Sequence, residues 1–114
     1  MSTKKDIIIL VIKTEYRYYV YTLLSLRDFS LYTGLTTDLK QRLTDHNRGL
    51  HVPERIKIPF KLIHYEYFTN LDDAKARENF LKTNVGRAQL KDSLKKTIRN
   101  LRSFPYQLFR YKKD

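Results

Sequence analysis

The stretch from residue 30 to residue 47, SLYTGLTTDLKQRLTDHN, holds the residue types in this chain that are best suited to chemistry. Tyr32 lies in a strand-like Tyr-Thr-Gly segment. Arg42 and His46 follow four residues apart on a predicted helix and therefore share one face. A guanidinium can bind two phosphate oxygens at once, and a phenol can exchange a proton. The stretch is therefore either one wall of an active site or a well-capped helix whose polar face lies in solvent.

Predicted strands lie on both sides of this stretch. Residues 16–26 and 30–36 are rich in aromatic and aliphatic side chains, and the turn residues RDFS between them indicate an antiparallel return. Residue types alternate along residues 60–68, which are rich in β-forming side chains. This pattern predicts a third core strand. Residues 6–13, DIIILVIK, are a candidate for an additional strand ahead of the main sheet.

The stretch itself predicts a helix. Thr36 or Thr37 can serve as its N-cap, Asp38 lies in its first turn, and Gly49 lies where it should stop. The predicted buried stripe of this helix consists of Leu35, Leu39 and Leu43. The arginine and the histidine project from a face about a quarter turn away from these leucines.

Two further helices are predicted later in the chain. Asn70 caps a helix over residues 71–84, which has acidic residues in its first turn. A single helix is predicted from about residue 87 to residue 102, and Pro105 ends it. Its apolar stripe consists of Leu90, Leu94, Ile98 and Leu101. Residues 51–59 are predicted to form a basic loop that carries Arg55 and Lys57.

Charge is the strongest signal in the composition. The chain has 114 residues, the size of one compact domain, and 23 Lys and Arg against 12 Asp and Glu leave a net charge of +11. Residues 87–114 carry nine basic and two acidic residues, a net of +7. This asymmetry predicts a localised basic surface whose partner is a polyanion, with nucleic acid ahead of an acidic membrane or protein. The competing interpretation is a basic domain with no specific partner.

Composition also excludes several classes of site. The chain has no cysteine, so disulfides, thiolate zinc sites and cysteine nucleophiles are excluded. The apolar run in KKDIIILVIK is far too short to span a bilayer, and no small-residue cleavage site follows it. We therefore expect a cytoplasmic protein with no membrane partner; its oligomeric state is left open.

The order of the predicted strands and helices, together with four short motifs, resembles that of a known protein family. YVY ends at Tyr21, YTG begins at Tyr32, Arg42 and His46 form R-x-x-x-H, and ARENFLK surrounds Glu78. In this order and at these distances they resemble the GIY-YIG nuclease superfamily. They match the small stand-alone members of this superfamily closely, and those members resemble the nuclease domain of the bacterial excision-repair protein UvrC.

The resemblance implies a fold and a division of the chain. The implied fold is α+β, with a small, mainly antiparallel three-stranded central sheet flanked by helices. We expect residues 1–114 to form a single domain, in which residues 16–87 are the nuclease-like core and residues 88–114 a basic C-terminal helix and tail.

The resemblance also implies a role for each matched residue. Tyr21 is similar to a general base that takes a proton from the attacking water, and Tyr32 to a tyrosine that orders the site beside the scissile phosphate. Arg42 is similar to an arginine that neutralises the phosphate, and His46 to a histidine that hydrogen-bonds a phenol or the nucleophile. Glu78 is similar to the one carboxylate that holds a divalent cation. Oxygen ligands on a hard cation indicate Mg²⁺ or Mn²⁺.

Two details of the implied site carry physical expectations. Gly34 matches the closing glycine of the second signature, where we expect the backbone to pass close to the start of the helix. A tyrosine base is awkward because the usual pKa of a phenol is about 10. We expect Arg42, a bound metal and His46 as hydrogen-bond acceptor each to favour the phenolate of Tyr21.

The chain departs from the family pattern at a few positions. Tyr19 and Val20 stand where the first signature has Gly and Ile, and Thr33 stands where the second has Ile; these are not catalytic positions of the pattern. Active members often have a late asparagine, for which Asn79 and Asn84 are both candidates. The sequence does not choose between them.

Each candidate residue also has an ordinary structural interpretation. Tyr21 and Tyr32 could be cross-strand aromatic residues, the commonest fate of a tyrosine in a hairpin. Arg42 and His46 could lie on a solvated helix face, and Glu78 could be a surface residue of a charged helix. Only the joint occurrence of the five favours a site.

Two functional hypotheses therefore remain. The first is a metal-dependent endonuclease that hydrolyses DNA phosphodiester bonds, with structure-selective cleavage of branched, nicked or damaged DNA in repair or recombination as an open extension. The second is a non-catalytic basic nucleic-acid-binding module on the same fold. The residues expected to contact the nucleic acid are Arg42, Arg55, Lys57, Lys91, Lys95 and Arg99.

Overall fold

The computed structural model describes residue 4 and residues 17–50 and 57–103. Within these ranges the chain forms three strands and four helices. The elements are β1 (Tyr18–Ser25), β2 (Leu31–Thr36), α1 (Leu39–Asn47), β3 (Phe60–Phe68), α2 (Leu71–Leu81), α3 (Asn84–Ser93) and α4 (Lys95–Ser103). The additional strand predicted at residues 6–13, Arg55 of the basic loop and Pro105 lie outside the described residues.

The three strands form one antiparallel sheet in the order β2-β1-β3, so that β1 is central. Tyr21 of β1 lies opposite Gly34 of β2 and Tyr65 of β3. An irregularity in the pairing with β3 falls between Thr22 and Leu23. The predicted α+β fold with a three-stranded antiparallel central sheet flanked by helices is confirmed.

The two faces of the sheet support separate apolar clusters. On one face Val20 packs with Ala74, Leu81 and Leu90, so α2 and α3 cover this side. On the other face Tyr21, Leu23 and Phe60 form a cluster against which Leu39 and Leu43 of α1 pack. Burial of each large aliphatic side chain contributes about 2 kcal/mol to stability. These contacts hold α1 on one side of the sheet and α2 with α3 on the other.

Helix α1 begins later than the sequence predicts. Its N-cap is Asp38, whose side chain accepts a hydrogen bond from the backbone N–H of Gln41 at 3.0 Å. Thr36 remains in β2, and its hydroxyl accepts from the backbone N–H of Asp38. The prediction of Thr36 or Thr37 as N-cap was wrong, because an Asp side chain two residues beyond the strand end is free to turn back onto the helix.

Leu35 was also misassigned to the stripe of α1. It belongs to β2, and its side chain packs against the Val20 cluster on the opposite face of the sheet. Leu39 and Leu43 do form the buried side of α1. The error arose because a strand residue four positions before a helix matches the helical spacing without sharing the helix axis.

Helix α2 is capped by Asn70 as predicted, since its side chain accepts from the backbone N–H groups of Asp72 and Asp73. The helix ends at Leu81, three residues earlier than predicted, and Thr83 caps the next helix. A Cβ added at Gly86 would lie 2.7 Å from the carbonyl carbon of Phe80. The glycine therefore allows α3 to pack against the backbone at the end of α2.

The single helix predicted over residues 87–102 is two helices, α3 and α4, with the break at Leu94. Leu94 has φ −107° and ψ 15°, outside the helical region, and packs against the Val20 cluster. The predicted apolar stripe survives the break, because Leu90 and Leu101 are both buried. The spacing of apolar residues indicates which side chains share a buried face, but it does not indicate whether the helix is interrupted between them. In the described ranges, no helix combines the length and the apolar character that crossing a membrane requires.

Candidate active site

Tyr21 and His46 form the centre of the candidate site. The side chain of Tyr21 is 2% exposed and that of His46 is 0% exposed. The Tyr21 hydroxyl oxygen lies 2.7 Å from Nε2 of His46, a short hydrogen bond between two buried side chains 25 residues apart in sequence. Strand β1 carries the tyrosine, and the last turn of α1 carries the histidine. The expected contact between a histidine and a phenol is therefore present, and His46 is not on a solvated face.

Helix α1 is held so that His46 points into the sheet. Leu39 and Leu43 pack against the Tyr21 cluster, and His46 follows Leu43 on the same side of the helix. Asn47 ties the end of α1 to the start of β3: the backbone N–H of Phe60 donates to its Oδ1 at 2.7 Å, and its Nδ2 donates to the Phe60 carbonyl at 3.3 Å. Both ends of the helix are thereby fixed relative to the strands.

Tyr32 completes an aromatic group around His46. It lies on β2 and is half-buried, on the same face of the sheet as Tyr21. Its ring centroid is 6.5 Å from that of Tyr21 and 5.0 Å from that of His46, with the latter pair edge to face at 65°. The rings restrict one another, so the Tyr21 hydroxyl has little freedom to move away from Nε2.

Gly34 makes room for Tyr21. A Cβ added at Gly34 would lie 2.9 Å from Cε2 of Tyr21 and closer still to Cζ and to the hydroxyl oxygen. The expectation was a close approach of the Gly34 backbone to the helix start; the close approach is instead to the Tyr21 ring, because the two residues are direct cross-strand neighbours. A side chain at this position would displace the phenol.

Electrostatics at Tyr21 link it to three of the other candidates. Burial raises the pKa of Tyr21 to about 12, and the neighbouring Tyr32 adds to this rise. Arg42 opposes it, both by its charge and by a hydrogen bond to the phenol, whereas the Glu78 carboxylate raises the pKa further. Arg42 therefore favours the phenolate as expected, but burial outweighs the guanidinium and the pKa of Tyr21 stays raised. Tyr21 is a neutral phenol near pH 7.

Glu78 lies on α2 and holds a lysine. Its side chain is 17% exposed, and Nζ of Lys82, one turn later, lies 2.8 Å from its Oε2. Lys82 was missed in the sequence, although the spacing of four residues between a glutamate and a following lysine is a recognised helical ion pair. In the described part of the chain, no group of three His, Cys, Asp or Glu side chains could hold a metal. Glu78 is thus a single carboxylate, already neutralised by a flexible ammonium group.

The late asparagine stays undecided. Asn79 is exposed on α2 beside Glu78, and Asn84 is the exposed first residue of α3. On β3, the side chains of Tyr65 and Tyr67 are 52% and 48% exposed, and Nε2 of His64 lies 3.1 Å from the Glu66 carboxylate.

The residues expected to bind nucleic acid fall into separate groups. Arg42 lies at the Tyr21 site, and Lys57 lies 3.8 Å from Asp28 near the tip of the β1–β2 hairpin. Lys91, Lys95 and Arg99 line a groove formed by α3, α4 and the hairpin. Arg55 lies outside the described residues. The structure thus brings Tyr21, Tyr32, Arg42 and His46 together and places Glu78 on α2, from where its charge acts on Tyr21. Most of the predicted basic contacts lie elsewhere.

Residues 17–92 match the family described as the GIY-YIG catalytic domain. A UPF0213 protein of Clostridium perfringens is 42% identical over 65 residues, which make up 56% of this chain and 69% of that protein. A UPF0213 protein of Streptococcus pyogenes is 39% identical over 77 residues, 67% of this chain and 83% of that protein. The solution structure of a UPF0213 protein from Bacillus halodurans is 29% identical in sequence. The match covers 80% of this chain and 90% of that protein, with a TM-score of 0.42.

The names of these relatives give a family designation and do not name an activity. The chain belongs to the GIY-YIG catalytic domain family, a family of nucleases, and its similarity to the UPF0213 proteins is a similarity to members of that family.

Proposed function

We propose that this protein is a metal-dependent endonuclease that hydrolyses DNA phosphodiester bonds. The observation that carries the proposal is the buried 2.7 Å hydrogen bond between the Tyr21 hydroxyl and Nε2 of His46, at a phenol whose pKa the Arg42 guanidinium lowers. A buried phenol paired with a buried imidazole is costly as a purely structural device, because each polar group taken out of water needs a hydrogen-bond partner. It suits a site that moves a proton beside a phosphate.

The proton of the attacking water is proposed to leave through Tyr21. Because burial raises the pKa of Tyr21 to about 12, a standing phenolate is not available near neutral pH. The Tyr21 oxygen can accept the water proton while its own proton passes to Nε2 of His46, which is within hydrogen-bonding distance. His46 then holds the proton until the product leaves. This relay lets a phenol act as the base without being ionised beforehand.

Arg42 is proposed to bind the scissile phosphate. It is partly exposed on α1, and its charge lowers the pKa of the Tyr21 phenol, so a phosphate held by this guanidinium would be near the group that would receive the proton. A guanidinium binds two phosphate oxygens in parallel and keeps its charge at any working pH. Tyr32, packed edge to face on His46, keeps the imidazole oriented toward Tyr21.

Glu78 is proposed to hold a divalent cation, Mg²⁺ or Mn²⁺. One carboxylate fits a cation that keeps several water ligands and takes others from substrate phosphates, which is how Mg²⁺ is commonly bound. When bound, such a cation would stabilise the charge on the leaving oxygen. Lys82 must release Glu78 for this to happen, since its Nζ lies 2.8 Å from the carboxylate.

The test compares cleavage of supercoiled, linear, nicked and branched DNA with Mg²⁺ or Mn²⁺ by the wild type and by Tyr21→Phe and Glu78→Gln. We expect each substitution to reduce the cleavage rate, with Tyr21→Phe lowering it by about 10²–10⁴-fold, the usual contribution of a general base. The relative rates on the four DNA forms test the proposed preference for branched, nicked or damaged structures in repair or recombination. Cleavage that survives both substitutions would show that the site is elsewhere.

Two variants serve as matched controls. Tyr67→Phe removes the hydroxyl of a tyrosine that is 48% exposed on β3. Glu66→Gln neutralises a partly buried glutamate that, like Glu78, is held by a cation, here Arg77 at 2.9 Å. Both controls should cleave at the wild-type rate. If no DNA form is cleaved while salt-sensitive binding is retained, the protein is instead a non-catalytic nucleic-acid-binding module.

A further inference from the structure

A groove lies on the side of the sheet away from Tyr21. Its floor is apolar and consists of Leu31, Ile98 and the ring of Phe29, and its volume is about 320 Å³. Its rim is basic and consists of Lys91, Lys95, Arg99 and Arg102. The volume is at the lower end of the range of ligand pockets, about 300–1,000 Å³, and suits one or two sugar–phosphate units.

The groove and Tyr21 lie on different faces of the sheet. Leu31 of the groove packs against the cluster that contains Val20, whereas Tyr21 belongs to the cluster on the opposite face of the sheet. A ligand in the groove therefore cannot also contact the Tyr21 hydroxyl through the sheet. The basic rim is not an extension of the Arg42 site.

The charge around the groove is strongly one-sided. From residue 84 to residue 103 the chain has six basic residues and one acidic residue, Asp92. Asp92 lies 3.7 Å from Lys95, but their side chains are 78% and 60% exposed, so this ion pair contributes little. Among the described residues, those that line the groove include no carboxylate. The repulsion between the rim cations is relieved when an anion enters.

The aromatic part of the floor is fixed in position. Phe29 has φ 61°, in the left-handed region that a bulky residue seldom adopts, which turns the hairpin tip toward α4. The Arg102 guanidinium lies 4.8 Å from the centroid of the Phe29 ring, a cation–π contact. The rim and the floor are thus joined to each other, and the groove is built by two separate parts of the chain.

We propose that this groove binds the phosphodiester backbone of a second DNA segment, one that does not reach the active site. The rim cations contact the phosphates, and the apolar floor receives the deoxyribose. The identity of the polyanion rests on the proposed nuclease function; the groove, its charge and its test do not depend on cleavage. Two contacts on opposite faces would let one protein hold two DNA arms or one bent segment.

The test measures binding of a fluorescent DNA duplex in EDTA, over a series of salt concentrations, for two charge-matched double variants. Lys95→Gln with Arg99→Gln removes two charges from the rim. Arg87→Gln with Lys96→Gln removes two charges from exposed positions of the same helices that do not line the groove. All four positions are exposed, so both variants should fold.

We expect the rim variant to bind about tenfold more weakly at moderate salt, and its slope of log K against log salt to be about 1–2 units shallower. The control variant should change both quantities much less. Equal losses in the two variants would overturn the proposal, because binding would then follow net charge alone. Unchanged binding by the rim variant would overturn it as well.

Two further measurements separate this inference from its alternatives. If the rim variant loses binding to anionic phospholipid vesicles but keeps its DNA affinity, the groove binds a membrane surface and the DNA proposal is wrong. Hydrolysis of bis(p-nitrophenyl) phosphate, which is too small to span both faces, should be the same in the rim variant and the wild type. Absence of cleavage of every DNA form by the wild type would refute the nuclease function, while the duplex measurement in EDTA would still decide the groove.

Discussion

Replacing Gly34 by Ala should displace Tyr21 and destabilise the fold. The added Cβ would lie 2.9 Å from Cε2 of Tyr21, and nearer to Cζ and the hydroxyl oxygen, whereas ordinary contacts between such atoms exceed 3.4 Å. The ring must therefore move by about 1 Å or more to reach normal contact distance. Such a shift breaks the 2.7 Å hydrogen bond to His46, because the histidine is itself enclosed by Tyr32 and Phe60 and cannot follow.

The size of the effect follows from these contacts. Crowding of a packed site costs about 1–3 kcal/mol. Loss of the buried hydrogen bond costs about 1 kcal/mol more. Restriction of the unfolded chain by alanine offsets about 0.5–1 kcal/mol. We expect Gly34→Ala to lower the free energy of unfolding by about 2–3 kcal/mol, and the melting temperature by about 10–20 °C for a domain of this size.

A double-mutant cycle with Tyr21→Leu isolates the cause. Leucine at position 21 removes the ring that meets the new Cβ, so Gly34→Ala should be nearly neutral in that background, and the coupling energy should be about 2 kcal/mol. Urea denaturation of the four proteins measures it. Destabilisation by Gly34→Ala that is the same with Tyr21 and with Leu at position 21 would refute the reasoning, since the cost would then lie in the backbone.

Three other predictions concern single contacts. Lys82→Gln removes the 2.8 Å ion pair with Glu78, so Mn²⁺ should bind more tightly by calorimetry and half-maximal cleavage should need less metal; weaker binding would contradict this. The pKa of Tyr21 is raised from 10.0 to about 12, so the stability it contributes is complete below pH 10 and is lost as pH rises toward 12. The melting temperature of the wild type should therefore fall more steeply over that interval than that of Tyr21→Phe, and parallel curves would contradict the shift. Asn47→Ala removes both hydrogen bonds to the Phe60 backbone and should lower the free energy of unfolding by about 1–3 kcal/mol, as measured by urea denaturation. An unchanged free energy of unfolding would contradict this prediction.

The sequence predicted local structure correctly wherever the pattern that specifies a strand or a helix end lies within one short segment. The alternation over residues 60–68 gave β3 with its bounds, and Asn70 marked the start of α2 by a capping hydrogen bond made within one turn. The predictions were wrong where a helical spacing of apolar residues continued past the end of one helix or strand into the next. Leu35 matched the helical spacing of α1 but belongs to β2, and Leu94 continued an apolar stripe through a break in the helix.

The residues of the candidate site were also available from the sequence, as types at fixed spacings. Arg42 and His46 share a helix face by geometry alone, and the motifs at Tyr21, Tyr32 and Glu78 occur in the order that the family requires. The sequence did not predict how these residues change one another's pKa values and positions. The pKa of Tyr21 is set first by burial, and burial is a property of the packed sheet and helices, not of the tyrosine or its neighbours in sequence.

Only the tertiary structure decided three features of the protein. It enclosed His46 beside Tyr21, it set Gly34 under the phenol ring, and it turned the basic helices to the other face of the sheet. Each depends on contacts between segments far apart in the chain, whose distances follow from strand register and helix docking. The sequence determined which groups were present and which of them share an element; the register of β1 with β2 and the packing of α1 determined which of them meet.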